Sequence, residues 1–139
     1  MRKIEQDMLK AINECKNFKN DNTRVRWTNA DGTSQAIVYL HDNMIASYKP
    51  SEGSLYIRDG GWASNTTKSR LNVLLGEFAP RYDIVQRDWG WYIVSITGIA
   101  YQRLNAGGDF CIVSTTGIAY PRLNAGDFCA AFENGKLVS

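Results

Sequence analysis

The chain has 139 residues, 44% of them hydrophobic and 22% charged, with a formal net charge of +2. That length allows one domain with a real core, and so mild a charge gives no overall basic field for nucleic acid, so any basic patch must come from placement. No apolar run is long enough to span a bilayer, the opening Met1-Arg2-Lys3-Ile4-Glu5-Gln6-Asp7 lacks a secretion signal's apolar stretch, and three cysteines and one histidine supply neither a disulfide framework nor a His-rich metal site.

Residues 2–18 read as an amphipathic helix, because Ile4, Met8, Ala11, Ile12 and Cys15 recur at spacings of three and four. Cys15 then packs as a small hydrophobe. Phe18 stands where the helix gives way to loop. It either closes the edge of the core or offers a ring on which a base or ligand stacks.

Thr23 to Thr28 reads as a strand with Thr23, Val25 and Trp27 on one face and Arg24, Arg26 and Thr28 on the other. Asp31-Gly32 signals a hairpin turn. Ser34 to His41 is a second strand, Asp42-Asn43 another turn, Met44 to Tyr48 a third strand and Ser54 to Arg58 a fourth. The pattern is an antiparallel meander. Arg24, Arg26, Lys49 and Arg58 fall on neighbouring strands, with Trp27, Tyr39, Tyr48 and Tyr56 among them. This is either a cationic face with rings for stacking or a solvated face beside ordinary core aromatics.

The run Gly60-Gly61-Trp62-Ala63-Ser64-Asn65-Thr66-Thr67-Lys68-Ser69-Arg70 carries the sharpest chemical signal. It turns a loop into a helix over 65–78, with Leu71, Leu74, Leu75 and Phe78 as the buried stripe and Pro80 as the stop. Ser64 or Asn65 caps the first turn. The remaining first-turn N–H groups form an anion-attracting end, and Lys68 and Arg70, the latter beside the stripe, can add charge-assisted bonds. The competing reading is structural: the glycines relieve a tight turn, Trp62 plugs the core, and Thr66-Thr67 merely cap. The run lacks Walker spacing. His41 and Asp42 have no nucleophile or carboxylate pair near them, so no catalytic residue, metal ligand or cofactor is expected. The candidate ligand-binding set is Asn65, Thr66, Thr67, Lys68, Arg70 and Trp62, with Arg24, Arg26 and Phe18.

Two more strands follow, Tyr82 to Arg87 and Trp89 to Ser95. Residues 93–111 are then nearly copied at 112–129, with one glycine fewer. Two copies are too few for a solenoid, so the duplication reads as added β-hairpins. Arg103 and Arg122 sit at equivalent positions in the copies and either clamp a ligand or simply face solvent. Asn134-Gly135 is a strong hairpin turn. The expected architecture is α+β: an antiparallel meander with an N-terminal amphipathic helix and a second helix after strand four. Residues 1–92 form the core, and 93–139 form a duplicated hairpin extension of the same domain.

Four segments together resemble a family of small tailed-bacteriophage accessory proteins. They are Lys3 to Ile12, Asn17-Phe18 with Asn22 to Val25, Val38 to Ala46, and Gly61 to Asn72 with its Ser-Asn-Thr-Thr-Lys-Ser-Arg-Leu-Asn motif. The resemblance spans roughly residues 3–92, and the repeat departs from that pattern. The small size, the helix-first layout and the aromatic after the first helix are also loosely similar to the Thoeris anti-defence sponges. The resemblance implies a non-enzymatic protein of the host bacterial cytoplasm that counters host defence by sequestering a nucleotide signal, as a homo-oligomer with pockets between subunits. Its alternatives are an inhibitor of a host defence protein by direct contact, such as an anti-CRISPR, and a nucleic-acid binder using Arg24 and Arg26. No membrane partner is expected.

Overall fold

The computed structural model describes residues 1–30, 32–60, 64–87, 90–95, 100–103, 110–114 and 129–137. Trp62, Arg122 and most of the duplicated stretch lie outside the described residues. The fold is α+β, with an N-terminal helix, an antiparallel meander and a second helix following it.

Helix α1 (Lys3–Asn13) is shorter than its apolar spacing suggests. Cys15 adopts a left-handed φ of 56°, and the Lys16 N–H reaches back to the Ala11 carbonyl at 2.9 Å. This Schellman closure turns the chain away one turn early. Cys15 is therefore exposed rather than packed, while Glu5, Met8, Ala11 and Ile12 are buried.

A short strand, β1 (Phe18–Asn20), comes next, where the sequence suggests loop. It pairs with β2 (Thr23–Ala30) around the Asp21-Asn22 turn. The meander continues through β3 (Thr33–Leu40), β4 (Asn43–Lys49) and β5 (Ser54–Arg58). The turn between β3 and β4 is His41-Asp42, one residue earlier than expected, because both residues take left-handed φ values of 50° and 64°. That double left-handed step is the two-residue turn whose twist matches its strands. Gly60 ends this region at φ +72°, where a Cβ would come within 3.1 Å of Ile45 Cγ2.

Helix α2 (Asn65–Phe78) leads to β6 (Tyr82–Arg87), β7 (Gly90–Ser95), β8 (Ala100–Arg103) and β9 (Phe110–Ser114), which form a four-stranded antiparallel sheet. Strands β10 (Cys129–Glu133) and β11 (Lys136–Leu137) return to the first sheet, which has the order β1-β2-β3-β4-β5-β10-β11. Its outermost strands are thus only three and two residues long.

Register decides which side of the large sheet is buried. Val25, Val38, Ala46 and Ile57 lie opposite one another, as do Trp27, Ala36, Tyr48, Leu55 and Phe132. These rows join Met8 and Ile12 of α1, Leu71, Leu74 and Leu75 of α2, and Ile84, Trp91 and Ile93 of the second sheet in one core. Full burial of each such aliphatic side chain stabilises the fold by about 1.5–3 kcal/mol. Asn72 fastens α2 to β6: its Oδ1 accepts from the Ile84 N–H at 2.7 Å and its Nδ2 donates to the Ile84 carbonyl at 3.0 Å. No helix among the described residues is long and apolar enough to cross a membrane.

Candidate functional site

The start of α2 is a well-capped helix end. Ser64 Oγ accepts from the Thr67 N–H at 3.1 Å and lies 2.9 Å from Thr67 Oγ1. Thr67 is buried, Thr66 half-buried and Asn65 exposed. The hollow beside this end, between Ile45, Asp59 and Thr67, has a volume of only about 20 Å³, near the size of one water.

Arg70 requires a correction. It is buried in the core side of α2 rather than standing beside the stripe, and its guanidinium is consumed by structure. Its Nη1 donates to Glu5 Oε2 at 2.8 Å, its Nε to Thr23 Oγ1 at 3.1 Å and its Nη2 to Asn22 Oδ1 at 3.4 Å. Ser69 Oγ donates to the same Glu5 oxygen at 2.6 Å. Burial pushes the Glu5 carboxyl up, but the Ser69 and Arg70 hydrogen bonds, the Arg2 N–H and the Arg70 charge outweigh it and hold the group below its ordinary value. This node ties α1, α2 and the β1–β2 turn together. Lys68 is half-buried, and its charge pulls on the Asp83 carboxyl, whose partial desolvation still raises it above its ordinary value. The helix start therefore gathers Asn65, Thr66, Thr67 and Lys68 but not Arg70.

The other expected cations sit on the opposite side of the large sheet from the core. Lys19, Arg24, Tyr39 and Met44 lie across from one another in one row, and Arg26, Ile37, Ser47 and Tyr56 in the next. Arg58 follows Tyr56 on the same face of β5. Trp27 and Tyr48 leave this set, because strand alternation turns them to the core face. There Trp27 Nε1 donates to the Ala11 carbonyl at 3.3 Å, and Tyr48 stacks on Phe78 at 4.0 Å.

At the β1 edge of this face an open groove of about 390 Å³ is lined by Asn17, Phe18, Lys19, Arg24, Val25 and Arg26. Asn17 Oδ1 accepts from the Trp27 N–H at 2.8 Å, which satisfies the backbone where β1 stops pairing. Phe18 packs against the rim of the core and also borders the groove. The Arg24 guanidinium carbon lies 4.6 Å from the centre of the Tyr39 ring. Its Nε is shielded from solvent and has no hydrogen-bond acceptor among the described residues. A shielded donor without an acceptor costs about 1–3 kcal/mol, and a native structure tolerates it where something else is gained.

Several cations among the described residues, Arg2, Lys68, Arg81 and Lys136 as well as those of this face, lack an acidic partner within 4.0 Å. Lys3, Lys10, Lys16, Lys49 and Arg70 each have an acidic partner within 4.0 Å. Lys19, Arg24, Arg26 and Arg58 have none among the described residues. Two larger hollows, of about 600 and 520 Å³, carry Glu52 in one case and Glu5 and Glu77 in the other, so neither suits an anion. Lys19 escapes the sequence reading because β1 reads as loop. The available signal is Asp21-Asn22, two turn-forming residues set between Phe18-Lys19-Asn20 and a clear strand.

Neither a curated protein nor a solved structure matches the chain. The Kyanoviridae Gp96 protein family matches residues 1–117, past residue 92, through the first copy of the repeat and into the second. That match covers most of the 139 residues, and the chain belongs to this phage-associated family.

Proposed function

We propose that this chain is a phage accessory protein that captures, without turnover, a phosphate-bearing and base-bearing ligand of the nucleotide class in the groove of Phe18, Lys19, Arg24 and Arg26. The observation that carries the reading is the cluster of three cations without acidic partners at one groove, with the Arg24 Nε lacking an acceptor and the Tyr39 ring beneath it. Guanidinium and ammonium groups bind phosphate oxygens by charge-assisted bonds, and rings supply stacking for a base. Family membership supports the phage setting. Holding a nucleotide signal in stoichiometric amounts is one way for a phage to blunt a host defence, and a capture protein needs no catalytic pair.

The test is a thermal-shift and calorimetric titration with ATP, a cyclic dinucleotide and ADP-ribose. Ligand at a hundredfold excess over Kd stabilises the folded state by about 2.7 kcal/mol, so a binder raises the melting temperature by several degrees. The double variant Lys19→Ala/Arg26→Ala should lose that rise while melting like the parent without ligand, since both side chains are exposed. A flat response of the parent protein to all three probes and to single-stranded oligonucleotides, or an undiminished response of the variant, overturns the proposal.

A further inference from the structure

We infer that the seam between α1 and α2 is a self-association surface, which a second copy of this chain covers about a two-fold axis. The two helices lie side by side and run in the same direction. Near their starts Ser69 Oγ donates to Glu5 Oε2 at 2.6 Å, and near their ends Asn13 Nδ2 donates to Glu77 Oε2 at 2.8 Å. The step from Glu5 to Asn13 equals that from Ser69 to Glu77, so the helices stay level with each other for about 12 Å. Met8, Ile12, Leu71, Leu74 and Leu75 turn to the core. Between the helices an open groove of about 520 Å³ is lined by Met1, Leu9, Val73, Gly76 and Glu77, with the buried Glu5 at its floor.

Two residues of this groove have no evident use within one copy. Met1 is the one large hydrophobic side chain among the described residues that stands exposed, at 72%. Gly76 is exposed in the last turn of α2, and a Cβ there would meet no atom within 4 Å. Glycine weakens a helix relative to alanine, and nothing in the described residues excludes the methyl group. What glycine provides is bare backbone that another body can approach closely.

The charges of the seam are self-complementary. Arg2 stands exposed at the starts of the helices without an acidic partner within 4.0 Å, and Glu77 at their ends without a cationic one, among the described residues. Both helix N-termini lie at the Arg2 end and both C-termini at the Glu77 end, so the helix dipoles add to the same polarity. A two-fold axis across the seam brings opposite ends together. Met1 of each copy then covers the partner's Gly76, with methionine as the adaptable filler. Arg2 of each meets the partner's Glu77, and Leu9 and Val73 pack about the axis. Every contact occurs twice, as an isologous interface requires. Two adjacent helices give a face about 20 Å by 20 Å, at the lower end of specific interfaces, so the dimer should dissociate on dilution.

Sedimentation velocity of the full chain, from a few to several hundred micromolar and at low and moderate salt, tests this. The weight-average mass should rise from that of one chain towards that of two, and less so as salt screens the exposed pairs. Gly76→Gln puts a side chain into the open space. It should melt no lower than the parent and keep the mass of one chain. Arg2→Glu and Glu77→Arg should each weaken association about tenfold by setting like charges together, and the double variant Arg2→Glu/Glu77→Arg should restore it. A parent that keeps the mass of one chain at every concentration overturns the inference, even if this face takes a different protein. So does a parent dimer that Gly76→Gln leaves intact, or a double variant that associates no better than its single variants.

Discussion

Removing the Glu5 carboxylate strands the Arg70 guanidinium, which is only 3% exposed and holds its place through Glu5, Thr23 and Asn22. Breaking one side of such a buried pair costs about 3–5 kcal/mol, so Glu5→Ala should lower the urea midpoint sharply. The joint replacement Glu5→Met/Arg70→Met should cost much less, because no lone charge is left behind. A Glu5→Ala protein that melts with the parent contradicts the node. The same pair sets an acid response. The folded Glu5 carboxyl titrates below its ordinary value, so the unfolded chain takes up its proton first. Its contribution is complete above that unfolded value and disappears as pH falls through the folded one. The urea midpoint should therefore hold from neutral pH down to about 5 and then drop, with a shallower drop in Glu5→Gln. Residue chemistry of this kind was only half legible in the sequence. Arg70 looks like a ligand cation because it follows Lys68 in a polar run. Its partner sits on another helix, signalled only by an acid at position 5 in the otherwise apolar series with Met8 and Ile12.

Elements were legible where a period and a stop coincide. The bounds of α2, β5 and β6 follow from the leucine stripe ended at Pro80, the alternation in Ser54 to Arg58, and the flanking turns. They fail where a backbone motif overrides the period, as at the left-handed Cys15, or where a strand is too short and polar to show one, as at β1. That omission hid the groove, since Phe18 and Lys19 line it only as strand residues. The Arg24/Arg26 face was readable from alternation alone, whereas which tyrosines accompany it required the cross-strand register. Two element-level tests follow from the caps and clamps. Ser64→Ala should cost about 1 kcal/mol by freeing the Thr67 N–H. Asn72→Ala should cost about 1–3 kcal/mol by leaving both backbone groups of Ile84 without their partner. Urea titration measures each, and a loss near zero for Asn72→Ala means that water replaces the clamp.

At the scale of the molecule, the C-terminal strands close the large sheet. Ala130 pairs with Ile57, and Phe132 enters the common core against Leu55 and Tyr82, with 5.2 Å between the Phe132 and Tyr82 rings. Phe132→Ala should cost about 3–5 kcal/mol. A chain ending at residue 128 should expose the edge of β5 and elute as aggregates in size-exclusion chromatography. A soluble, cooperatively melting truncation contradicts the role given to β10. The pairing joins segments distant in sequence, which slows folding and makes the finished borders of the sheet important. Those borders are β1 and β11, cut to three and two residues. So little backbone gives a foreign strand little to zip onto at these two ends, and on β2 beyond them the Asn17 side chain occupies the Trp27 N–H.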